Sequence, residues 1–445
     1  MRTFAISLMF LTALIAIPAE AQRPQGGEIQ VNTYTTGNQQ RPAVAMSEAG
    51  DFVVVWQSGV SAGDDNDGRS IQGQLYDSSG QPIAAQFQVN TTTTSYQSRP
   101  AVAMDLVGNF VVAWTSYSSA GDDADGYSVQ AQRFFFNGNP NGSEFQVNTF
   151  TTGYQAYPSV AIDSLGDFVI VWDSGASDGD TDGYSVHGRR FKSDGNADGD
   201  QFQVNTYTTG GQFSPTVAFD SSRDFIVTWD SFGSAGSDSD SASVQAQRFF
   251  SNGMPNGTQF QVNTYTAGFQ GIPHLAINSQ DDLVIVWQSD SSGGTDDNLD
   301  SVQGQRFDSA GQTVGGQFQV NSLTSGNQSA PRVALDNDGN ATIVWESAAS
   351  GGNDDSDLSV QMRVMRPFGA SPPQFQVNSS TSANQLSAAI ARNPGGAFAV
   401  VWDSGDSAGT DSDNASIQLQ RFEDDVHLFT DGFESGDTSR WSGES

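Results

Sequence analysis

The chain has 445 residues, 51 acidic against 18 basic side chains, a formal net charge of −33 and no cysteine. That balance argues against nucleic acid or an anionic membrane as partner, and the missing thiols exclude disulfides, cysteine nucleophiles and cysteine metal sites. Aromatic residues make up 11% of the chain, too many for an acidic disordered polymer.

Arg2 precedes an apolar run, residues 4–17, followed by Pro18, Ala19, Glu20 and Ala21. A charge, a short apolar run and small residues at the A-x-A positions come in the order of a secretory signal peptide, so residues 1–21 are expected to be removed after Ala21. The run falls short of a membrane span, which takes roughly 20 residues, and no later stretch is apolar enough to cross. The mature protein is therefore expected as a monomer that is secreted, extracellular or at the cell surface, or periplasmic. Residues 22–27 read as a linker.

From residue 28 the chain repeats itself. Val31, Val89, Val147, Val204, Val262, Val320 and Val377 mark a Phe-Gln-Val-Asn-Thr/Ser phrase spaced 57 or 58 residues apart, with Ile29 replacing the first phenylalanine. Trp56, Trp114, Trp172, Trp229, Trp287, Trp345 and Trp402 close a Val-Val/Ala/Thr-Trp phrase with the same step. A fixed period of this kind signals a repeat architecture. One period, from Pro100, reads as strands A to D at 100–105, 109–116, 127–134 and 144–149, from period-2 alternation between Gly/Asn/Asp turns. Proline opens strand A at Pro42, Pro100, Pro158, Pro215, Pro273 and Pro331, with Ala388 in the seventh copy. Seven sets of four antiparallel strands predict a seven-bladed β-propeller over residues 28–422. The region begins with a lone strand D, 28–33, and ends with a lone A-B-C set finishing at 417–422. These two pieces complete one blade, and their pairing hides the open edge. The tryptophans end apolar strands at identical positions and are expected to pack between blades.

The B–C loops are rich in aspartate. They carry Asp65 and Asp67, Asp123 and Asp125, and Asp178, Asp180 and Asp182, with similar groups in the other repeats. Alternating strands place these loops and the D–A loops on one face. Asp178-Gly-Asp180-Thr-Asp182-Gly183 has the spacing in which alternate carboxylates converge around a glycine turn, and Asp65–Gly68 and Asp123–Gly126 keep a shorter form. Two readings stand side by side: Ca²⁺ ligands, or solvated loop tips. Arg189 occupies the twelfth position, where a helical calcium loop has its bidentate Glu. The D–A loops repeat Asn32, Asn90, Asn148, Asn205, Asn263, Asn321 and Asn378, then Gln39, Gln97, Gln155, Gln212, Gln270, Gln328 and Gln385, with Tyr34, Phe150, Tyr207 and Tyr265 between. These side chains are expected to satisfy a repeated turn; sugar binding is the alternative.

No catalytic constellation stands out. His187, His274 and His427 are isolated, and no nucleophile, phosphate-loop or zinc-protease motif is present. His187, Arg189, Arg190 and Lys192 make blade 3 mildly unlike the rest. Paired acids for glycoside cleavage are compatible with so much aspartate. Residues 423–445 form a tail, in which Asp431-Gly-Phe-Glu-Ser-Gly-Asp437 and Trp441 resemble a short C-terminal sorting tail of exported bacterial proteins.

The repeats resemble a family of uncharacterised bacterial secreted proteins built from FQVNT and VVVW units, some beside calcium-binding or adhesin modules. More distantly, Pro-x-Val-Ala followed by VVVW is similar to sialidase-type and integrin-type propellers. The sialidase S-x-D-x-G-x-T-W box and a recognisable arginine triad are absent, and Val186 stands where integrin-type calcium loops place an acid. The expectation is a non-catalytic secreted binding module for a protein or glycan ligand, with Ca²⁺ on its Asp-rich face. The alternatives are a glycan-active hydrolase of sialidase-like propeller type and a structural spacer.

Overall fold

The computed structural model describes residues 22–424, apart from 61–62, 66, 118–120, 124, 176–182, 234–235, 291–293, 297–298, 350–351, 355–357, 407–408 and 412–414. The expected signal peptide and all of the tail but 423–424 lie outside the described residues.

The B strands show why the chain closes into a ring. In blade 2, Phe110–Ser116 is buried along its whole length. Phe110, Val112 and Trp114 pack against Val53, Val55 and Ile71 of blade 1, while Val111 and Ala113 pack against Phe168, Ile170 and Trp172 of blade 3. The two-residue period of a strand thus sends alternate side chains into two different cores. A strand covered on both faces needs an unbroken apolar run, which is what the VVVW phrase supplies. Seven such cores, one between each pair of neighbouring blades, surround the axis.

Every regular element among the described residues is a strand. Each blade runs A-B-C-D, as in Gln97–Met104, Phe110–Ser116, Ser128–Phe134 and Phe145–Gln146. A strands pack on A strands of the next blade, so strand A is innermost. The protein is a seven-bladed β-propeller. Ile29–Gln30 pairs with Leu419 and Gln418, and Arg23–Pro24, expected to lie in a linker, is instead a strand that extends the seam to Glu423 and Phe422, because it follows the free edge of strand C. Glu28 adds a clasp, accepting the Ser379 N–H at 2.7 Å and hydroxyl at 2.6 Å. The seventh blade is completed by the N-terminal strand, as its missing fourth strand requires.

Two local features differ from the sequence expectation. Strand A starts three residues early, at the repeated glutamine, and the proline sits at a bulge inside it. The register slips there in every blade. The residue before the proline, or before Ala388, takes φ between 50° and 56° at Arg41, Arg99, Tyr157, Ser214, Ile272, Ala330 and Ser387. Proline has no N–H to lose, so a bulge tolerates it. Strand D is only two residues long in every blade but the fifth, where Thr313–Gln319 runs further back, and an asparagine side chain ends the ladder. Asn148 Oδ1 accepts the Val129 N–H at 2.9 Å, and its Nδ2 donates to Asp123 and to the Phe150 carbonyl.

The tryptophans are packing residues. All seven are fully buried. Each indole N–H donates to the strand A glutamine of its own blade, from 2.8 Å for Trp345–Gln328 to 3.1 Å for Trp287–Gln270. The same glutamines donate to turn carbonyls, as Gln97 does to Thr94.

Candidate active site

The bulge builds the candidate site. Each bulge residue turns its backbone N–H toward the residue that follows tryptophan in the preceding blade. Arg99 donates to Gln57 at 3.2 Å, Tyr157 to the Thr115 hydroxyl at 3.1 Å, and Ile272 to Asp230 at 3.2 Å. Two sevenfold positions therefore meet around the axis. One reads Gln57, Thr115, Asp173, Asp230, Gln288, Glu346, Asp403. The other reads Arg41, Arg99, Tyr157, Ser214, Ile272, Ala330, Ser387. The scaffold is uniform and the side chains are not, and that is where the ring loses its symmetry.

Four of the seven post-tryptophan residues are acids, in two adjacent pairs, and a serine joins each pair. Ser214 gives its N–H to Asp173 and its hydroxyl to Asp230. Ser387 gives its N–H to Glu346 at 2.7 Å and its hydroxyl to Asp403. Asp173 and Asp230 are only 4% and 3% exposed. Burial pushes Asp173 well above the usual carboxylate range, and the neighbouring Asp230 charge adds to the shift. Asp230 is pushed up to about 7, again by burial, against the opposing hydrogen bonds from Ile272 and Ser214. Asp173 Oδ1 has no hydrogen-bond partner among the described residues. Neighbouring carboxyls whose ionisation is opposed by burial are candidates for acid–base chemistry near neutral pH.

Above this pair opens a cleft of about 650 Å³, with Asp173, Ser214 and Asp230 in its lining. Aromatic rings edge it. Tyr117 meets Tyr127 at 5.2 Å, and Tyr127 stacks on Tyr154 at 5.3 Å. Tyr184, Phe213, Phe232 and Phe269 continue the arc with centroid spacings of 4.9, 5.8 and 6.2 Å. All of these rings come from blades 2 to 5. The matching positions of blades 6, 7 and 1 hold Asn327, Ala348, Leu358, Asn384, Gly405, Ala415, Asn38, Gly59 and Arg69. Half-exposed rings beside a polar floor are the surface that stacks on sugar faces.

The residues singled out from sequence lie elsewhere. Asp65 and Asp123 are buried, and each accepts a hydrogen bond from its repeat asparagine, Asn90 at 2.8 Å and Asn148 at 2.7 Å. The same bond recurs at Asn32–Asp411, Asn263–Asp238, Asn321–Asp296 and Asn378–Asp354. Asp67 and Asp125 are exposed and accept the Ser95 and Gly153 N–H groups. Asp178, Asp180 and Asp182 lie outside the described residues. Among the described residues no group of three or more His, Asp or Glu side chains is arranged to hold a metal. His187 replaces a repeated strand C glutamine, is held neutral by burial at about 4, and lies 2.9 Å from the Gln201 amide. Arg190 and Lys192 pair with Asp198 on the opposite face. Sequence reading missed Asp173, Asp230 and Ser214. The available signal was variation at a single column, the residue after each tryptophan.

No family model and no curated protein matches the chain. Solved structures do. A Dyadobacter fermentans protein of unknown function aligns with TM-score 0.52 and 8% identity, over 92% of this chain and all of its own. The polysaccharide lyase Uly1 aligns with TM-score 0.54 and 9% identity, over 89% of this chain and 99% of its own. An α-L-arabinofuranosidase of Fusarium graminearum aligns at 0.49 with 11% identity, over 73% of this chain and 92% of its own. At these identities the likeness establishes the fold alone. It nonetheless overturns the expectation that the chain is not an enzyme. That expectation took an unbroken repeat to mean an absent active site, yet an enzyme shares the propeller over nearly its whole length, and here point substitutions on the repeat assemble a carboxyl pair in a cleft.

Proposed function

We propose that this chain is an exported glycan-active hydrolase that cuts glycosidic bonds in the aromatic-edged cleft. The observation that carries the reading is the Asp173–Ser214–Asp230 group, two carboxyls held neutral or half-ionised at the floor of a sugar-sized cavity. In this reading Asp173 keeps its proton and delivers it to the departing oxygen. Asp230, the first of the two to ionise, acts as the base or nucleophile at the anomeric side. Ser214 positions both, because one residue donates to each. The aromatic arc supplies stacking platforms for sugars flanking the cut.

The test is a polysaccharide panel read by new reducing ends, with the products checked for unsaturated sugars. Hydrolysis gives reducing ends and no unsaturation. Asp173→Asn should lower the rate by about 10²–10⁴-fold, the usual worth of a general acid. A wild-type protein that cleaves nothing, or an Asp173→Asn variant that cleaves at full rate, overturns the reading. Calcium stays a separate proposal for the Asp178–Asp182 segment, in the weak extracellular range of about 10⁻⁴–10⁻³ M.

A further inference from the structure

The cleft holds a second chemical feature that general glycan cleavage does not require. Arg41, Arg69 and Arg99 line the side formed by blades 1 and 2. Arginine is scarce in a chain with 18 basic and 51 acidic residues. Among the described residues most of the other guanidinium groups are tied down, Arg248 excepted, whose Nη2 is buried without a hydrogen-bond partner. Arg133, Arg189, Arg306 and Arg363 donate to the backbone carbonyls of Ser193, Val147, Gly339 and Val320. Arg190, Arg223 and Arg392 pair with carboxylates. Among the described residues the guanidinium groups of Arg41, Arg69 and Arg99 make neither kind of contact. Arg99 lies over the Tyr157 ring at 3.7 Å and Arg69 is 5.9 Å from the Tyr96 ring centre. Two of the three, Arg41 and Arg99, stand on bulge residues, and they repel one another.

Like charges gathered in one cleft, near buried carboxyls but hydrogen-bonded to none of them among the described residues, fit an anion brought by the ligand. An arginine fork fits a planar or tetrahedral oxyanion bidentately. We propose that the cleft takes an acidic polysaccharide, with the carboxylate or sulfate of one sugar unit held between Arg99, Arg41 and Arg69 while the neighbouring linkage lies over Asp173 and Asp230. This rests on the glycan reading above and names its substrate class. The acidic loops on the same face do not contradict it. Their repulsion is screened beyond about 10 Å at 0.1 M salt, whereas contact pairs in the cleft are screened far less.

Calorimetry of the full mature chain with three probes tests the proposal: an oligogalacturonide, a sulfated carrageenan oligosaccharide, and a neutral xylo-oligosaccharide of equal length. The expected result is binding of one anionic probe at least about tenfold tighter than the neutral one, lost by a similar factor in Arg99→Gln and partly restored in Arg99→Lys. The anionic arm that binds tells carboxylate from sulfate. Arg69→Gln, at an exposed position, gives a second variant free of folding effects, and both variants are checked by melting temperature. Equal binding of neutral and anionic probes, or unchanged binding in both variants, overturns the substrate class while leaving glycan cleavage intact. Tight anionic binding without cleavage supports the arginine site and removes the hydrolase reading. Binding of no probe overturns both.

Discussion

Two serine-joined acid pairs sit on the same ring, built by the same bulge, yet their surroundings assign them different work. Asp173 and Asp230 border an open, aromatic-edged cleft, and Asp173 keeps one oxygen without a partner. Glu346 and Asp403 lie in the quieter half of the rim, where the electrostatic neighbours of Glu346 include Arg332 and Arg41. Arg41 also gives its backbone N–H to Asp403 at 3.2 Å. Cations beside the second pair compensate its charge, although burial still raises Asp403 to about 6. Geometry alone therefore does not make a site in this molecule. The site needs the same geometry plus an opening, since both pairs have an arginine nearby, Arg99 at Asp173 and Arg41 at Glu346 and Asp403.

The sharpest way to break the comparison is to remove one acid from each pair. Asp230→Asn should cut glycan cleavage by about 10²–10⁴-fold, while Asp403→Asn should leave it within a few-fold of wild type. Equal losses measured in a steady-state assay would erase the distinction. The rims differ next. Tyr154→Ala should raise KM roughly tenfold with a smaller change in kcat, since stacking to a sugar face is worth about a kcal/mol. Leu358→Ala, at the opposite rim, should change neither constant.

Stability should respond in the opposite sense. Glu346→Gln leaves Arg332 without its compensating charge and should cost about 1–3 kcal/mol in urea unfolding, whereas Asp173→Asn, which replaces an acid already held neutral, should cost less than that. A larger loss at Asp173 would mean that its proton is not retained in the fold. The pH dependence is the finest probe. Asp230 is pushed up to about 7, so kcat/KM should rise through about pH 7 as the base is freed. Folding runs the other way. The native Asp230 and Asp403 bind protons more tightly than the unfolded chain, so their contribution to stability is lost as pH climbs from about 4 to 7. Asp230→Asn should flatten both slopes, seen in a pH–rate profile and in melting temperatures across the same range.

Most of the fold could be read directly from residues. Tryptophan and the FQVN phrase recur at one step, and the unpaired pieces at 28–33 and 417–422 can only complete each other. The strand A start was misplaced because proline normally opens a strand, and a bulge that shelters it leaves no mark in a single sequence. The asparagine and glutamine columns were read correctly as turn partners, since their side chains bond within their own blade. The acids that line the ring escaped notice for a related reason. Runs such as Asp122-Asp123 draw attention by number, but in each described loop the aspartate opposite the repeat asparagine is buried by it, while the four acids that line the ring appear singly.

What the sequence determined by itself was the repeat, the number of blades, the seam and the packing role of the tryptophans. All of these follow from periodic burial and from hydrogen bonds within one blade. Which half of the ring carries the candidate site was decided only in three dimensions. The bulge residue and the acid that it faces are about 42 residues apart, as at Arg99 and Gln57, and sit on different blades. The aromatic arc spans four blades, and the arginines of the cleft come from blades 1 and 2. No local pattern encodes such meetings, because they arise when identical scaffolds close into a circle and bring their few unlike side chains face to face.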